Sequence, residues 1–238
     1  MISLPLLVLA GGFGIRLRSA VSDVPKALAP VMGRPYLAYL VESWRRQAIT
    51  SFTFLLHHQA EMIIDFLVEA KESGPLVGGE IRTLVEPHPL GTGGAVAYAV
   101  REFKISGSFL VANADTWLGN GIEKIAVAPA PAMAVIPVIN SERYGRVRVE
   151  SNKIVSFDEK RNSAVPGLIN AGLYHLDADM FRDWDGQPFS LERELFPKSV
   201  SANQLTAVLL KTDFIDIGIP DDYFRFCRWI ESQKVGAL

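Results

Sequence analysis

The chain has 238 residues, of which 49% are hydrophobic and 21% charged, and its formal net charge is −2. This length and composition allow a sizeable core, which excludes an intrinsically disordered protein. The balanced charge gives no basic surface for nucleic acid, and the longest apolar stretches are strand-length, too short to cross a bilayer. We therefore expect one domain over residues 1–238 that binds neither nucleic acid nor membrane.

The N-terminal segment predicts a cytoplasmic protein. It has no basic region, and its apolar run leads into a glycine-rich turn rather than a small-residue cleavage site. The one cysteine, Cys227, lies among Phe224, Phe226 and Trp229. We expect it to be a small buried hydrophobe rather than a redox residue.

The first half of the chain alternates β-rich runs with helical patterns, which is typical of parallel strands joined by crossover helices. Strands are predicted at residues 6–9, 52–56, 81–85, 109–112 and 134–138, and helices at 36–48, 61–71 and 94–103. This order predicts a doubly wound α/β sheet that is mixed but mainly parallel. Residues 1–139 would form the half of the domain that binds a nucleotide.

After Asn140 the pattern changes to short alternating runs. The runs at 146–149 and 154–157 flank Ser151-Asn152, which predicts a β-hairpin. Further strands are predicted at 168–174, 205–210 and 214–217, and helices near 192–196 and from Pro220 through Trp229. Residues 140–238 are interpreted as a β-rich insert and a closing helix.

A glycine-rich segment, Leu9-Ala10-Gly11-Gly12-Phe13-Gly14-Ile15-Arg16-Leu17, follows the first predicted strand, and Pro25-Lys26 lies shortly beyond. Closely spaced glycines let the main chain approach a phosphate chain, while Arg16 and Lys26 add positive charge. Glycine spacing alone also fits an ordinary turn. The segment lacks the third glycine of the dinucleotide motif and the Gly-Lys-Ser/Thr of a P-loop. We therefore predict a triphosphate site.

A second cluster, Glu86-Pro87-His88-Pro89-Leu90-Gly91-Thr92-Gly93-Gly94-Ala95, precedes a helical pattern. Its small residues would let a flat base lie against the main chain, and the helix N-terminus favours a nearby anion. An ordinary loop at a helix start is the alternative.

Two aspartates are candidate metal ligands. Asp115 follows the strand at 109–112, on the edge where open α/β sheets bind ligands, and Asp216 ends a late strand beside a glycine. Carboxylate oxygens suit Mg²⁺, which takes one or two carboxylates together with phosphate oxygens in nucleotide sites. Each aspartate alone also fits a helix cap or a turn.

The middle of the chain supplies candidates for binding a sugar. They lie in Tyr144-Gly145-Arg146-Val147, Phe157-Asp158-Glu159-Lys160 and Ile169-Asn170-Ala171-Gly172. Glu159 and Asn170 can recognise hydroxyl groups, and Lys160 can hold a phosphate. The alternative for each segment is a solvated charge run on a hairpin. The four histidines show no metal-ligand spacing, and we assign them no role.

The glycine-rich segment with Pro25-Lys26 resembles the signature of the sugar-1-phosphate nucleotidyltransferase family. Ile15 stands where that family commonly has threonine. The segment at 86–95 resembles the family's base-binding loop, and residues 113–115 and 216–220 resemble its magnesium motifs, with Ala114 and Ile219 as departures. The three middle segments resemble its sugar-binding elements. The resemblance implies a Rossmann-like, glycosyltransferase-A-like fold with a β-rich sugar-binding insert.

The resemblance also implies residue roles. Arg16 and Lys26 would bind the triphosphate and stabilise the charge that builds up during transfer, and Asp115 and Asp216 would bind Mg²⁺. The implied nucleotide-binding residues are Leu9, Ala10, Gly11, Gly12, Gly14, Glu86, Pro89, Gly91, Thr92 and Gly93. The implied sugar-binding residues are Asn113, Gly145, Glu159, Lys160 and Asn170.

The implied reaction joins a sugar 1-phosphate to a nucleoside triphosphate and releases pyrophosphate. Within the family the chain most resembles the heptose 1-phosphate guanylyltransferases, which favours GTP and D-glycero-D-manno-heptose 1-phosphate as substrates. Mannose 1-phosphate with GTP and N-acetylmuramate 1-phosphate with UTP are alternatives. A dinucleotide-dependent oxidoreductase is disfavoured because no acidic residue ends the second strand. A non-catalytic nucleotide-binding regulator is disfavoured because Lys26 and both aspartates are present, and a homo-oligomer stays open.

Overall fold

A computed structural model of the protein describes residues 4–158 and 165–235. Its strands are β1 Leu6–Leu9, β2 Pro30–Val31, β3 Arg34–Pro35, β4 Ser51–Leu56, β5 Glu80–Val85, β6 Ser108–Asn113, β7 Thr116–Leu118, β8 Ala132–Val138, β9 Arg146–Glu150, β10 Lys153–Asp158, β11 Gly167–Asp177, β12 Thr206–Leu209 and β13 Phe214–Asp216. Its α-helices are α1 Tyr36–Arg46, α2 Ala60–Ser73, α3 Gly91–Glu102, α4 Ile122–Ala126, α5 Phe196–Ser201 and α6 Pro220–Val235. Every strand and helix predicted from the sequence is therefore present.

One sheet of nine strands organises the fold, in the order β5-β4-β1-β6-β11-β8-β12-β10-β9. Strands β5, β4, β1 and β6 are parallel, as predicted. Beyond β6 the sheet is mixed, because β11 runs antiparallel to both β6 and β8. The sheet is thus mixed, as predicted, with parallel pairing in the first four strands and between β8 and β12, rather than mainly parallel over its whole width. Parallel pairing needs a long crossover, and the long connection from β8 to β12 supplies one for that pair.

Apolar packing covers both faces of the sheet. In β1, Leu6 and Val8 pack into one core cluster and Leu7 into the other, because successive side chains of a strand point to opposite faces. All three side chains are fully buried. Helix α1 contributes to the first cluster and α3 to the second. The continuous apolar runs of the central strands follow from this burial on both sides.

The hairpin predicted at Ser151-Asn152 is present. Both residues have positive φ, 46° and 64°, as a two-residue type I′ turn requires. The hairpin is not a separate layer, because β10 pairs with β12 and β9 with β11 in the main sheet. The β-rich insert is therefore an extension of the sheet edge.

Two helical predictions differ in detail from the structure. Helix α1 ends at Arg46 because Ala48 takes a left-handed φ of 69° and Ile49 N–H donates back to the Trp44 carbonyl. The predicted helix near 192–196 is a π-helical turn, Leu191–Leu195, that continues into α5. Strands β2, β3 and β7 were not predicted, since two or three residues are too few to show a period.

Within the described parts of the chain, none of the helices has the length and apolar character that a membrane span needs. Cys227, predicted to be buried, is half-buried and packs against the first core cluster. The nine-stranded sheet contains strands from both halves of the sequence.

The central position of Leu7 makes it a test of the two-sided core. We expect Leu7→Ala to lower the free energy of unfolding by about 2–5 kcal/mol, because it leaves a cavity beneath the sheet. The same substitution at Leu209 in β12, whose side chain is 51% exposed, should cost about 1 kcal/mol or less. Urea denaturation of both variants measures the difference, and equal losses would contradict this account of the core.

Candidate active site

The glycine-rich segment forms the loop that leaves β1, at the carboxyl edge of the parallel strands. Gly14 has a left-handed φ of 61° and starts a single 3-10 turn, Ile15–Leu17. Leu17 is buried and anchors the turn to the core. A side chain added at Gly12 would meet nothing within 4 Å, so the main chain borders open space there. Such exposed backbone can point N–H groups at an anion.

Lys26 reaches from its own 3-10 turn, Lys26–Leu28, to the carboxylate of Asp115. The two form an ion pair between partly buried side chains, with 17% of Lys26 and 29% of Asp115 exposed. The turn lies against the glycine loop, since a Cβ at Gly14 would be 3.2 Å from that of Lys26. The cation predicted from Pro25-Lys26 therefore lies beside both the loop and a predicted metal ligand.

Arg16 lies on the side of the site that Asp216 and Gly218 form. A Cβ built at Gly218 would be 3.4 Å from a terminal guanidinium nitrogen of Arg16 and 2.8 Å from Asp216 Oδ1. Asp216 Oδ1 also accepts the Gly218 N–H at 2.7 Å. The two predicted cations and the two predicted acids thus converge, although they are far apart in sequence.

A short ribbon brings the two acids together. Asp115 lies between β6 and β7, and Asp216 ends β13. Strands β7 and β13 pair antiparallel, with Thr116 opposite Asp216. The Ile217 N–H donates to the Asp115 carbonyl at 2.9 Å, which closes the ribbon at the site. The ribbon is what turns two distant aspartates into neighbours.

Burial acts on both carboxyl groups, because it disfavours the charged form. For Asp115 this is outweighed by the Lys26 ammonium, through its charge and its hydrogen bond, so the Asp115 pKa lies below its ordinary value. For Asp216, burial and then the negative charge of Asp115 hold the pKa above its ordinary value. The negative charge of Asp216 is therefore less fully compensated than that of Asp115.

This arrangement fits a divalent cation. Two partly buried acids of like charge lie within electrostatic reach of the Tyr36 hydroxyl, which is buried and has no hydrogen-bond partner among the described residues. Burial, and then the charges of Asp115 and Asp216, raise the pKa of Tyr36. Within residues 4–158 and 165–235 no group of three or more acidic, His or Cys side chains could hold a metal ion. The ion would therefore share two carboxylates with a phosphate ligand, as Mg²⁺ does in nucleotide sites.

A cavity of about 280 Å³ opens between the glycine loop and the start of α3. The predicted nucleotide-binding residues that line it are Leu9, Gly11, Gly12, Glu86, Pro89, Gly91 and Thr92. We call it the base cavity. Asn113 and Asp115 also line it, so it reaches the charged site.

Three of the predicted nucleotide-binding residues lie outside the base cavity. Ala10 is buried, and its N–H donates to the Leu55 carbonyl. Gly14 lies beside Lys26. The Gly93 N–H donates to the Phe189 carbonyl at 3.0 Å, and a Cβ at Gly93 would be 2.2 Å from the Phe189 ring. The structure therefore assigns Gly93 to close packing against the segment at 189, which the sequence did not predict.

A second cavity of about 480 Å³, which we call the acceptor cavity, lies on the other side of the charged site. The predicted residues Arg16, Asn113, Asp115, Gly145, Asn170 and Asp216 line it. Asn113 and Thr92 border both cavities. Glu159 and Lys160, two further predicted sugar-binding residues, lie outside the described residues.

Sequence reasoning missed several residues of this site. Arg143 and Glu192 line the acceptor cavity, and the buried Tyr36 hydroxyl lies within electrostatic reach of the two acids. Arg143 binds Asp222 at the start of α6, which fixes it at the cavity wall. Arg143 directly precedes Tyr144-Gly145, and Glu192 follows the helix-capping residue Ser190. Their positions next to these segments are the sequence signal that could have identified them as site residues.

Two of the histidines make contacts that show where they lie in the fold. His57 does line the base cavity, and its Nδ1 lies 3.4 Å from the Glu86 carbonyl oxygen. His175 is buried in β11, with Nδ1 2.8 Å from the Ala128 carbonyl oxygen. The first contributes to the shape of a cavity and the second to the core.

A central sheet with a glycine loop, two cations and two acids at its carboxyl edge defines a nucleotide-processing site. Residues 6–233 match the family model described as nucleotidyl transferase, and the chain belongs to that family. The family resemblance of the sequence motifs is thereby confirmed.

Two relatives and one solved structure show which members of the family the chain is similar to. The chain is 32% identical to D-glycero-alpha-D-manno-heptose 1-phosphate guanylyltransferase of Campylobacter jejuni, over 92% of this chain and 97% of that protein. It is 31% identical to a probable mannose-1-phosphate guanylyltransferase of Oryza sativa, over 97% of this chain and 66% of that protein. The crystal structure of HddC from Yersinia pseudotuberculosis complexed with GMP-PN matches with a TM-score of 0.82 and 31% identity, covering 95% of this chain and 99% of HddC.

The burial of Glu86 predicts a pH-dependent stability difference. Burial raises the Glu86 pKa against the lowering effects of the Leu90 N–H and the charges of His57 and His88. The folded state therefore holds this proton more tightly than the unfolded chain. That contribution to stability is present below the ordinary glutamate pKa and is lost as the pH rises through the folded-state value.

We expect Glu86→Gln, which is neutral at every pH, to be more stable relative to the parent protein at pH 8 than at pH 4. Urea denaturation at both values measures the two differences. A matched Glu69→Gln variant, changed at an exposed position of α2, should show no such trend. A difference for Glu86→Gln that is constant with pH would contradict the assigned cause.

Proposed function

We propose that the protein transfers a guanylyl group from GTP to D-glycero-D-manno-heptose 1-phosphate, giving GDP-heptose and pyrophosphate. The observation that carries the proposal is the convergence of Arg16, Lys26, Asp115 and Asp216 between the base and acceptor cavities. One cavity can take the base and the other the sugar. The reacting phosphates would then lie between them, among the charged side chains.

The base cavity favours guanine. Glu86 is buried, and its Oε2 accepts the Leu90 N–H at 2.8 Å. No described residue hydrogen-bonds Oε1, which is left for a ligand. An ionised carboxylate only accepts hydrogen bonds, and guanine alone among the common bases presents two adjacent donors, N1–H and the 2-amino group. The names of the Campylobacter and Oryza relatives support the same nucleotide.

The sugar is proposed from the Campylobacter relative, of which the chain covers 97%. The acceptor cavity has the polar lining that a polyhydroxylated ligand needs, including Asn113, Asn170 and Glu192. Lys160, outside the described residues, stays a predicted ligand of the sugar phosphate. A cytoplasmic location likewise stays a prediction.

The reaction we propose is attack by an oxygen of the sugar phosphate on the α-phosphorus of GTP, in line with departing pyrophosphate. A phosphate monoester has a second pKa of about 6 and is mostly dianionic at neutral pH, so the nucleophile needs no strong general base. The task of the protein is to position the two phosphates and to offset their charge. Arg16 and Lys26 would hold the triphosphate, and the glycine loop would contribute main-chain N–H groups.

Asp115 and Asp216 would hold a divalent ion, for which we propose Mg²⁺. Such an ion, when bound, neutralises phosphate charge. Lys26 now offsets Asp115, so it is placed to turn from the carboxylate to a phosphate oxygen when the ion and nucleotide bind.

Pyrophosphate release tests the proposed activity. The parent protein would be assayed with ATP, CTP, GTP, UTP and ITP against heptose, mannose and N-acetylmuramate 1-phosphates in the presence of Mg²⁺. We expect the highest kcat/KM with GTP and heptose 1-phosphate. The kcat/KM with ITP, which lacks the 2-amino group, should be lower by about 10- to 150-fold, which is the contribution of one hydrogen bond to a charged group.

Each outcome of this assay decides a separate point. Preference for mannose 1-phosphate would overturn the sugar assignment and leave the base assignment standing. Equal use of GTP and ITP would remove Glu86 as the reader of the base. No pyrophosphate with any pair would contradict the proposed activity itself.

The charged site predicts the effect of two substitutions. Lys26→Ala and Asp115→Asn should each lower kcat by at least about 100-fold, equivalent to about 2.7 kcal/mol of transition-state stabilisation. The circular dichroism spectrum should be unchanged. Lys71→Ala and Asp65→Asn make the same changes on the exposed face of α2 and should keep parental turnover. Near-parental turnover in both site variants would show that the roles are wrongly assigned.

A further inference from the structure

The two cavities share a wall built by Thr92 and by the segment that carries Glu192. Thr92 borders both cavities, whereas Glu192 lines only the acceptor cavity. The Thr92 hydroxyl donates to Glu192 Oε2 at 2.7 Å and accepts the Leu191 N–H at 3.0 Å. The Ser190 hydroxyl donates to the same Glu192 oxygen at 2.8 Å. A loop of the base cavity is thus tied to a carboxylate of the acceptor cavity.

The main chain reinforces this tie. Phe189 N–H donates to the Leu90 carbonyl, and the Phe189 carbonyl accepts the N–H groups of Gly93 and Gly94 at 3.0 and 3.2 Å. Because a Cβ at Gly93 would overlap the Phe189 ring, only glycine allows the two segments to approach this closely. Movement of the base loop therefore moves the segment that holds Glu192.

The other oxygen of Glu192 faces the residues that line the sugar side. Tyr174 is fully buried in β11, and its hydroxyl donates to Glu192 Oε1 at 3.5 Å. The Asn170 Nδ2 donates to that hydroxyl at 2.8 Å, and the Asn170 Oδ1 accepts the Gly172 N–H at 2.9 Å. A continuous chain of hydrogen bonds thus runs from Thr92 through Glu192 and Tyr174 to Asn170.

The charge of Glu192 sets the direction of the hydroxyl bonds in this chain. A carboxylate only accepts hydrogen bonds, so the hydroxyl groups of Thr92, Ser190 and Tyr174 direct their hydrogens toward it. The Tyr174 oxygen is then left as an acceptor for the Asn170 amide. Together with the Gly172 N–H that donates to Asn170 Oδ1, this fixes which face of that amide donates and which accepts in the acceptor cavity. An amide at position 192 could donate instead, and the order of donors would no longer be determined.

We propose that Glu192 is a positioning residue that couples the base cavity to the acceptor cavity, so that nucleotide binding orders Asn170 for the sugar. The inference rests on the proposed function, because it assigns the two cavities to the two substrates. Glu192 itself takes no part in bond making. Its effect is a coupling between two binding events, which is reciprocal by thermodynamic necessity.

Isothermal titration calorimetry tests the coupling. The dissociation constant of heptose 1-phosphate would be measured with Mg²⁺, in the absence and in the presence of saturating α,β-methylene-GTP, a GTP analogue that cannot transfer its guanylyl group. In the parent protein we expect the analogue to tighten sugar binding by about 5-fold or more. In Glu192→Gln this factor should fall to near one, while the analogue alone binds within about threefold of the parental value.

Matched variants separate coupling from local damage. Glu194→Gln, on the same π-helical turn, removes an exposed carboxylate that accepts the Ser190 N–H, and it should keep the parental coupling factor. Thr92→Val and Tyr174→Phe break the hydrogen-bond chain on either side of Glu192. Each should lose the coupling, and combining Tyr174→Phe with Glu192→Gln should cause no further loss. These two variants carry the test if Glu192→Gln fails to fold.

The outcomes distinguish the inference from the proposed function. A protein that releases pyrophosphate but shows no coupling, or shows parental coupling in Glu192→Gln, would overturn the inference alone. Weaker binding of both substrates in Glu192→Gln with an unchanged coupling factor would assign Glu192 a purely structural role and would also overturn it. A parent protein that binds neither substrate would overturn the proposed function.

Discussion

Two partly buried carboxyl groups of like charge lie together at the carboxyl edge of the central sheet, and the rest of the site is arranged around their repulsion. Lys26 offsets Asp115 directly, whereas the charge of Asp216 is opposed by burial and by its neighbour. A pair of this kind is costly to keep in a folded protein unless further positive charge is supplied. The pair therefore has the character of a site prepared for a cation and a polyphosphate.

The strand order explains why this pair can exist. Strand β6 lies next to β1, so the glycine loop and Asp115 leave the sheet at neighbouring positions. The β7–β13 ribbon then returns Asp216 to the same place from the end of the chain. Strands β1 and β6 are buried on both faces, which makes this edge of the sheet rigid. Their burial offsets the free energy that holding the charged groups together costs.

The departures from the family motifs lie where they do not disturb this arrangement. Ala114 is buried, and its N–H donates to the Leu9 carbonyl, so a small apolar side chain suits its position. Ile15 is 70% exposed and lines neither the base cavity nor the acceptor cavity. Ile219 is half-buried before α6, and its carbonyl accepts the Tyr223 N–H. The acids and cations themselves are retained.

The sequence by itself determined the elements and the chemistry. Local patterns are enough to locate an apolar strand such as β1, the type I′ hairpin at Ser151-Asn152 and a glycine loop followed by two cations, because each depends on residues close in the chain. For the same reason the family could be recognised from its motifs. The roles of Gly93 and Glu192 could not be, since both depend on segments about a hundred residues apart.

Only the tertiary structure decided which of these parts meet. It showed that the hairpin extends the main sheet, that β11 runs antiparallel to its neighbours, and that Gly93 packs against Phe189 instead of lining the base cavity. It also placed the Tyr36 hydroxyl within electrostatic reach of the two acids, and it joined Glu192 to Thr92 in the wall that the two cavities share. Long-range pairing is governed by burial and by the closure of loops over the whole chain, and neither leaves a periodic signal in the sequence.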